Sequence, residues 1–272
     1  MIVFPNSKIN LGLHILRKRA DGFHDLETVF YPIALHDALE IVQNSSPASD
    51  IELTTSGLKI DASGEDNICF KAYQLLKKDF PNLPSIKMHL HKVIPSGAGL
   101  GGGSSDGAFT LTLLNKKFNL ELSEDRLIDH ALQLGSDCPF FINNKPCYAT
   151  GRGEKMEAIE LNLSNYKIIV VNPGIHVHTG KAFSKIISSD KRTSIKEIIQ
   201  QPIEQWKNIL KNDFEESVFT DHPEIKTVKE KLYGKGAVYA SMSGSGSSVY
   251  GLFEKNLQLN FDFPSHYFVK EI

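Results

Sequence analysis

A chain of 272 residues with 41% hydrophobic and 23% charged content can build one large globular domain or two medium ones. Its formal net charge of −2 gives no whole-chain attraction for nucleic acid or an anionic membrane. No apolar run nears the roughly 18 residues of a transmembrane helix. The cysteines, Cys69, Cys138 and Cys147, are odd in number, far apart and without a C-x-x-C pair, so free thiols and a cytoplasmic setting are expected. The N-terminus has no basic stretch before its apolar residues, which argues against a signal peptide.

Ile2–Leu16 reads as a strand. Within KINLGLHIL, Lys8, Asn10, Gly12 and His14 share one face, and Ile9, Leu11, Leu13 and Ile15 the other. The polar row is either a solvated face or the lining of a cleft. Arg17–Thr28 turns around Asp21-Gly22 and presents Phe23 and His24. Thr28–Val42 reads as one apolar strand, Asn44–Asp50 as a polar turn, and Ile51–Thr55 and Leu58–Ile60 as short strands. Asn67 caps a helix that reaches Phe80, with Ile68, Ala72, Leu75 and Leu76 inward, and Pro81 and Pro84 end it. Ile86–Ile94 alternates, with Lys87, His89 and His91 outward. The two histidines lack a third metal ligand and read as a solvated row.

Pro95–Ala108, PSGAGLGGGSSDGA, places five glycines within Gly97–Gly103. Between a strand and a helix, such a loop clears side chains away and lets backbone N–H groups converge on phosphate. A helix is expected from about Ser104 to Lys117, and another from the Ser123 cap to Gly135. GSDCPFF (Gly135–Phe141) then sets Asp137 in a turn, where stabilising the turn is its default role. GRGE (Gly151–Glu154) is a further turn, and Tyr166–Pro173 is a continuous apolar, central strand. At Gly174 to Lys181 a Walker A match fails, because the spacing is one residue too long and Ala182 replaces Ser/Thr. Helical stretches follow at Ile195–Gln200, Ile203–Phe214 and Glu224–Tyr233. Gly236–Phe253 reads as strand, glycine-serine turn, strand, and Tyr267–Ile272 as an edge strand. Without strict βαβ alternation the class is α+β with two layers, and a boundary is expected near residues 155–165.

Gly97–Gly102 satisfies G-x-G-x-x-G literally. A dinucleotide fold needs an apolar first strand before the motif and an acid ending a second strand, whereas here the preceding strand is amphipathic and a second helix follows. A protein-kinase glycine loop needs a downstream strand lysine, H-R-D and D-F-G, all absent.

The run P-x-G-A-G-L-G-G-G-S-S resembles the central motif of the galactokinase, homoserine kinase, mevalonate kinase and phosphomevalonate kinase (GHMP) superfamily. SKINLGL (Ser7–Leu13), ADGFH (Ala20–His24), LGSDCPFF (Leu134–Phe141) and SGSGS (Ser243–Ser247) are similar, in order, to its cytidine-diphosphate-sugar-alcohol branch. The match is weak at Asn44–Ser63 and Ser188–Lys235. The resemblance implies a two-domain α+β fold: a ribosomal-protein-domain-2-like N-terminal ATP-binding domain over residues 1–158 and a ferredoxin-like C-terminal domain over 159–272. The active site is then expected in the cleft between them. It also implies an ATP-dependent kinase of the non-mevalonate isoprenoid route, phosphorylating the 2-hydroxyl of a methylerythritol that carries a cytidine diphosphate group.

By the same resemblance, Asp137 acts as base and Lys8 as charge stabiliser. Pro95, Ser96, Gly97, Ala98, Gly99, Leu100, Gly101, Gly102, Gly103, Ser104 and Ser105 cradle the ATP phosphates, and Asn67 and Lys92 lie near the adenine. His24 hydrogen-bonds the cytosine edge, Phe23 and Phe183 sandwich its ring, and Asn10, Phe30 and Thr179 complete the substrate side. Mg²⁺ is expected with ATP, its protein ligand unidentified. The rivals are a homoserine- or mevalonate-type kinase of the superfamily and a non-catalytic nucleotide-binding protein of the same fold. The oligomeric state is left between monomer and homodimer. Two departures stand out: Phe23 replaces the commoner tyrosine, and Asp106-Gly107 replaces Asn-Ala or Asp-Ala. Glycine at 107 weakens the helix start by about 0.5–1 kcal/mol.

Overall fold

The computed structural model describes every residue except 46–48, 61–63, 187 and 190. In chain order the elements are β1 (Ile2–Val3), β2 (Asn6–Lys18), β3 (His24–His36), β4 (Ala38–Gln43), β5 (Ile51–Gly57), α1 (Ile68–Asp79) and β6 (Ile86–Lys92). After the glycine loop come α2 (Gly102–Phe118), α3 (Glu124–Leu134), α4 (Phe140–Asn143), β7 (Cys147–Gly151), β8 (Lys155–Ala158) and β9 (Tyr166–Asn172). The remainder holds α5 (Thr179–Ser184), α6 (Ile195–Ile198), α7 (Ile203–Ile209), α8 (Phe214–Asp221), α9 (Pro223–Gly234), β10 (Tyr239–Met242), β11 (Val249–Glu254) and β12 (Phe268–Glu271).

Two compact units interleave along the chain. One takes Met1–Ser7, Ala34–Ser96 and Gly101–Lys145; the other takes Lys8–Ile33, Gly97–Leu100 and Pro146–Ile272. Strand pairing explains the interleaving, since β3 joins β7 in antiparallel register and carries the early chain into the later unit. The glycine loop is itself divided, with Gly97–Leu100 in one unit and Gly101–Gly103 in the other.

In the first unit the sheet order is β1-β4-β6-β5, antiparallel except for the parallel β5/β6 pair. Alternation on β6 sends Ile86, Met88 and Leu90 into a core with Tyr73 and Leu76 of α1 and Leu111 and Leu114 of α2. Lys87, His89 and His91 face outward, as expected. The two histidines bond the Thr54 and Ser56 hydroxyls of β5 at 2.8–2.9 Å. Among the described residues no group of His, Cys, Asp and Glu is arranged to hold a metal. Gly107 has a packing reason, because an added Cβ would lie 2.8 Å from the Ile68 side chain of α1.

Several element boundaries differ from expectation. The expected strand Thr28–Val42 breaks at Asp37, whose N–H donates to Pro5 and whose carboxylate accepts the N–H groups of Val93 and Ile94. Leu58–Ile60 lies outside the strands, β5 ending at Gly57, where a Cβ would lie 2.2 Å from the Lys92 carbonyl oxygen. The expected helix Ile203–Phe214 becomes α7 and α8, separated by Asn212. That side chain donates to the carbonyls of Met242 (2.7 Å) and Gly244 (2.8 Å), which pulls the backbone out of helical register.

The second unit holds an antiparallel sheet of order β10-β11-β9-β12, with β9 central and β12 at its edge. Ile169, Val171 and Val249 pack against Phe214, Val218, Ile225, Val228 and Leu232 of α8 and α9. A second sheet runs β2-β3-β7-β8. On β2 the polar row is buried, with Lys8, Asn10 and His14 only 4%, 2% and 3% exposed, so the solvated reading falls.

Buried polar groups need partners, and these have them. The His14 ring bonds Glu27 at 2.9 Å, and Glu27 also accepts the hydroxyls of Tyr148 and Ser194 and the N–H of Ile195. Burial alone would raise the Glu27 carboxyl; the bonds from His14, Tyr148, Ile195 and Ser194 overcome it and hold the group at about 2. The stability from this depressed value is complete above the ordinary value of 4.5 and is lost as pH falls towards about 2. In a melting series from neutral to acid, the wild type is therefore expected to lose stability steeply over that window. Glu27→Gln starts lower and declines less.

Candidate active site

In the first unit, α2 begins at Gly102, earlier than the expected Ser104. Its N-cap is Gly101, at φ +69°, and no side chain caps the first turn. Uncapped N–H groups and the positive end of the helix dipole suit a phosphate. The space where a Gly103 Cβ would stand is open within 4 Å, and Ser104 is half-buried. The Ser105 hydroxyl is buried with no hydrogen-bond partner among the described residues. Pro95 is half-buried and Ser96 exposed at the entry to the loop.

Asn67 caps α1, its Oδ1 accepting the Cys69 N–H at 2.9 Å. Lys92 is 3% exposed and donates to two carboxylates, Asp37 and, at 2.7 Å, Asp106. Burial pulls the Lys92 ammonium down, and the charges of Asp106 and Asp37 more than reverse it. Asp106 goes up to about 7, because burial and the neighbouring Asp37 charge outweigh Lys92. This buried knot of charge was not foreseen from the sequence.

Asp137 follows the Gly135 cap of α3 in a turn and is half-buried. The neighbouring Cys138 is fully buried and its thiol is pushed up to about 12 by burial. It packs rather than reacts.

In the second unit, Lys8 Nζ donates to Asn10 Oδ1 at 2.5 Å and lies 4.6 Å from the centre of the Phe30 ring. Asn10 is fixed in turn: its amide donates to Thr28 Oγ1 at 3.0 Å, its backbone N–H to Ser243 Oγ at 3.1 Å, and its carbonyl accepts Tyr250 at 2.8 Å. Ser243 Oγ donates to the Gly99 carbonyl at 2.7 Å, and the Ser248 N–H reaches that of Ala98 at 3.1 Å. Leu100 accepts the Lys8 N–H at 2.9 Å. The SGSGS turn thus ties Asn10 to Gly97–Leu100, and Thr179 joins it through Ser245 at 3.0 Å. The sequence marked this turn as similar to the family but assigned none of its residues to the site. Its signal was the glycine-serine run between two strands.

Gly99 shows how tight the junction is. A Cβ there would stand 1.9 Å from the Ser243 carbonyl oxygen, at φ +76°. Gly99→Ala is expected to force the turn and the loop apart and to cut ATP turnover by about a hundredfold or more. A steady-state ATP assay on the folded variant checks this.

The aromatic residues gather in the same unit. His24 stacks on Phe183 with centroids 4.8 Å apart and planes 17° from parallel, and Phe214 meets Phe183 edge-on. Phe23 is 54% exposed.

Two family models match the chain: GHMP kinases N terminal domain at residues 67–145 and GHMP kinases C terminal at 194–260. Among similar proteins, the 4-diphosphocytidyl-2-C-methyl-D-erythritol kinase of Bacteroides thetaiotaomicron is 56% identical, over 93% of this chain and 92% of its own. The chain belongs to the 4-diphosphocytidyl-2-C-methyl-D-erythritol kinase family. The family member from Azobacteroides pseudotrichonymphae is 52% identical over 99% of this chain and all of its own length. A crystal structure of 4-(cytidine 5'-diphospho)-2C-methyl-D-erythritol kinase superposes with a TM-score of 0.80 at 30% identity, covering 93% of this chain and 90% of that one. A mevalonate kinase structure reaches a TM-score of 0.64 at 19% identity and shares the fold alone. The expected GHMP-kinase α+β fold is thereby established, and with it a kinase that transfers phosphoryl groups in isoprenoid biosynthesis. Among the described residues no helix is long and apolar enough to cross a membrane.

Proposed function

We propose that the chain transfers a phosphoryl group from ATP to the 2-hydroxyl of 4-diphosphocytidyl-2-C-methyl-D-erythritol, giving the 2-phosphate and ADP. The observation that carries the reading is the aromatic group in the unit that also holds Lys8 and Asn10. The His24 ring stacks on Phe183, and the neighbouring Phe23 stands exposed, so this unit presents flat rings of the kind on which a pyrimidine stacks. Homoserine and mevalonate have no ring for such a surface.

Asp137 takes the proton of the 2-hydroxyl as its oxygen attacks phosphorus, and keeps it when ADP departs. Lys8, oriented by Asn10 and by the face of Phe30, offsets the negative charge that builds on the reacting oxygens. The first turn of α2 offers its N–H groups to the phosphates, while Gly97–Leu100, braced by Ser243, lines them with backbone. Asn67 and Lys92 serve the adenine end. His24 hydrogen-bonds the cytosine edge, Phe23 and Phe183 take its faces, and Phe30 and Thr179 complete the acceptor side.

Mg²⁺ holds many of its own waters and phosphate oxygens, so few protein ligands suffice. Asp106 is engaged by Lys92 and Ser105 is buried, which leaves the half-buried Ser104 hydroxyl as the fitting ligand. When bound, the ion neutralises charge on the transferring phosphate.

An ATP-consumption assay over a panel of acceptors tests the reading. Turnover with the cytidine compound is expected; turnover with mevalonate or homoserine and none with the cytidine compound would overturn it. His24→Ala is expected to raise the KM for the cytidine substrate about tenfold, the loss of a buried hydrogen bond and a stacked ring, and that for ATP less than about twofold. Equal effects on both would refute the cytosine role.

A further inference from the structure

The GRGE turn has no part in the reaction described so far, yet it touches the most exposed residue of the cytosine site. Antiparallel register sets Gly151 opposite Leu26, so the turn beyond β7 arrives beside the start of β3. There the Arg152 guanidinium lies 4.9 Å from the centre of the Phe23 ring.

Both sides of this contact are held. The Arg152 N–H donates to the Glu154 carboxylate at 2.5 Å, and the Gly153 N–H donates to the Thr150 carbonyl at 3.1 Å. Gly151 and Gly153 both have positive φ, at +73° and +104°, so few other residues would form this turn. On the opposite side, the Asp21 carboxylate accepts the Phe23 N–H at 3.1 Å and is itself forked by Arg19. The charge of Arg152 also helps hold the Asp21 carboxyl below its ordinary value, after the larger effects of Arg19 and the Phe23 N–H.

We infer that Arg152 is a positioning residue for the pyrimidine: it covers one face of Phe23 and so fixes the ring with a single face open to the base. The inference rests on the cytidine reading of the site. An exposed phenylalanine otherwise samples several rotamers, and a base that stacks on it must first freeze one of them. A guanidinium spread over the ring does that in advance. It also compensates for the hydroxyl that tyrosine would supply at position 23, through which such a ring could anchor itself.

Two measurements test this separately from the reading itself. In Phe23→Trp the only other tryptophan is Trp206, which is fully buried, so acrylamide quenching reports position 23. Arg152→Ala in that background is expected to raise the quenching constant about twofold; an unchanged constant overturns the covering of the ring, whatever the substrate. In steady-state kinetics, Arg152→Ala is expected to raise the KM for the cytidine substrate about two- to fivefold, the range of an exposed cation–π contact, with the KM for ATP and kcat held. Arg152→Lys recovers part of the loss. In a Phe23→Leu background the Arg152→Ala effect vanishes, because the two residues act as one unit. Effects that multiply in the double variant, or a KM for ATP that rises equally, overturn the inference. Absence of any turnover by the wild type with the cytidine compound would instead overturn the proposed function and leave the quenching result standing.

Discussion

Replacing Lys92 by methionine is expected to cost about 3–5 kcal/mol of folding stability. The ammonium sits between two carboxylates that are as buried as itself, Asp37 and Asp106 at 0% and 3% side-chain exposure. Methionine fills the space but leaves two negative charges facing each other away from water. Each can only pay desolvation or take up a proton, and Asp106 already stands raised to about 7 with Lys92 in place. Asp37 also holds the N–H groups of Val93 and Ile94 at 2.6 and 2.9 Å, so the entry to the glycine loop loosens with it. Urea denaturation of Lys92→Met, and of Lys92→Met with Asp106→Asn, checks this. The second exchange removes one of the stranded charges and is expected to recover a large part of the loss. If Lys92 served only by touching the nucleotide, the midpoint would not move and the KM for ATP alone would rise.

Asp137→Asn is expected to lower kcat by about a hundred- to ten-thousandfold, while the affinity for ATP stays within about twofold. The amide matches the carboxylate in size and polarity but cannot take the acceptor proton. Turnover assays paired with nucleotide titration calorimetry separate the two quantities. Normal turnover would remove Asp137 from the role of base. Equal losses in turnover and ATP affinity would assign it to the nucleotide.

Much of the secondary structure followed from local rules. Asn67 announced the start of α1 and Ser123 that of α3, and the 3.6-residue spacing of α1 placed Ala72 and Leu76 in the core. The alternation of β6 put Met88 and Leu90 inward and the two histidines outward, because a strand has only two faces. The glycine loop also declared itself through its flanks, since converging N–H groups require a strand before it and a helix after. These features depend on neighbours a few residues away.

Breaks in the elements were harder to read. Nothing in the run Thr28–Val42 marks Asp37 as a stop until Val93 and Ile94 bring their N–H groups to it. Asn212 interrupts a good helical pattern because the carbonyls of Met242 and Gly244 claim its amide. The polar row on β2 read equally well as a wet face, and only remote partners decide otherwise: Thr28, Tyr250 and Ser243 for Asn10, and Glu27 for His14.

By itself the sequence determined the strand-loop-helix frame of the glycine loop proposed to hold phosphate, the family and the chemical types on offer: a lysine, an aspartate and a set of aromatic rings. Tertiary structure alone decided which charges are buried and with whom, that Lys92 is locked between Asp37 and Asp106, and that the SGSGS turn braces Gly99. The physical reason is range. Periodicity, caps and turn preferences act over a few residues, whereas burying a charge or closing a backbone to 1.9 Å of a would-be Cβ depends on groups far along the chain, such as Ser243 against Gly99.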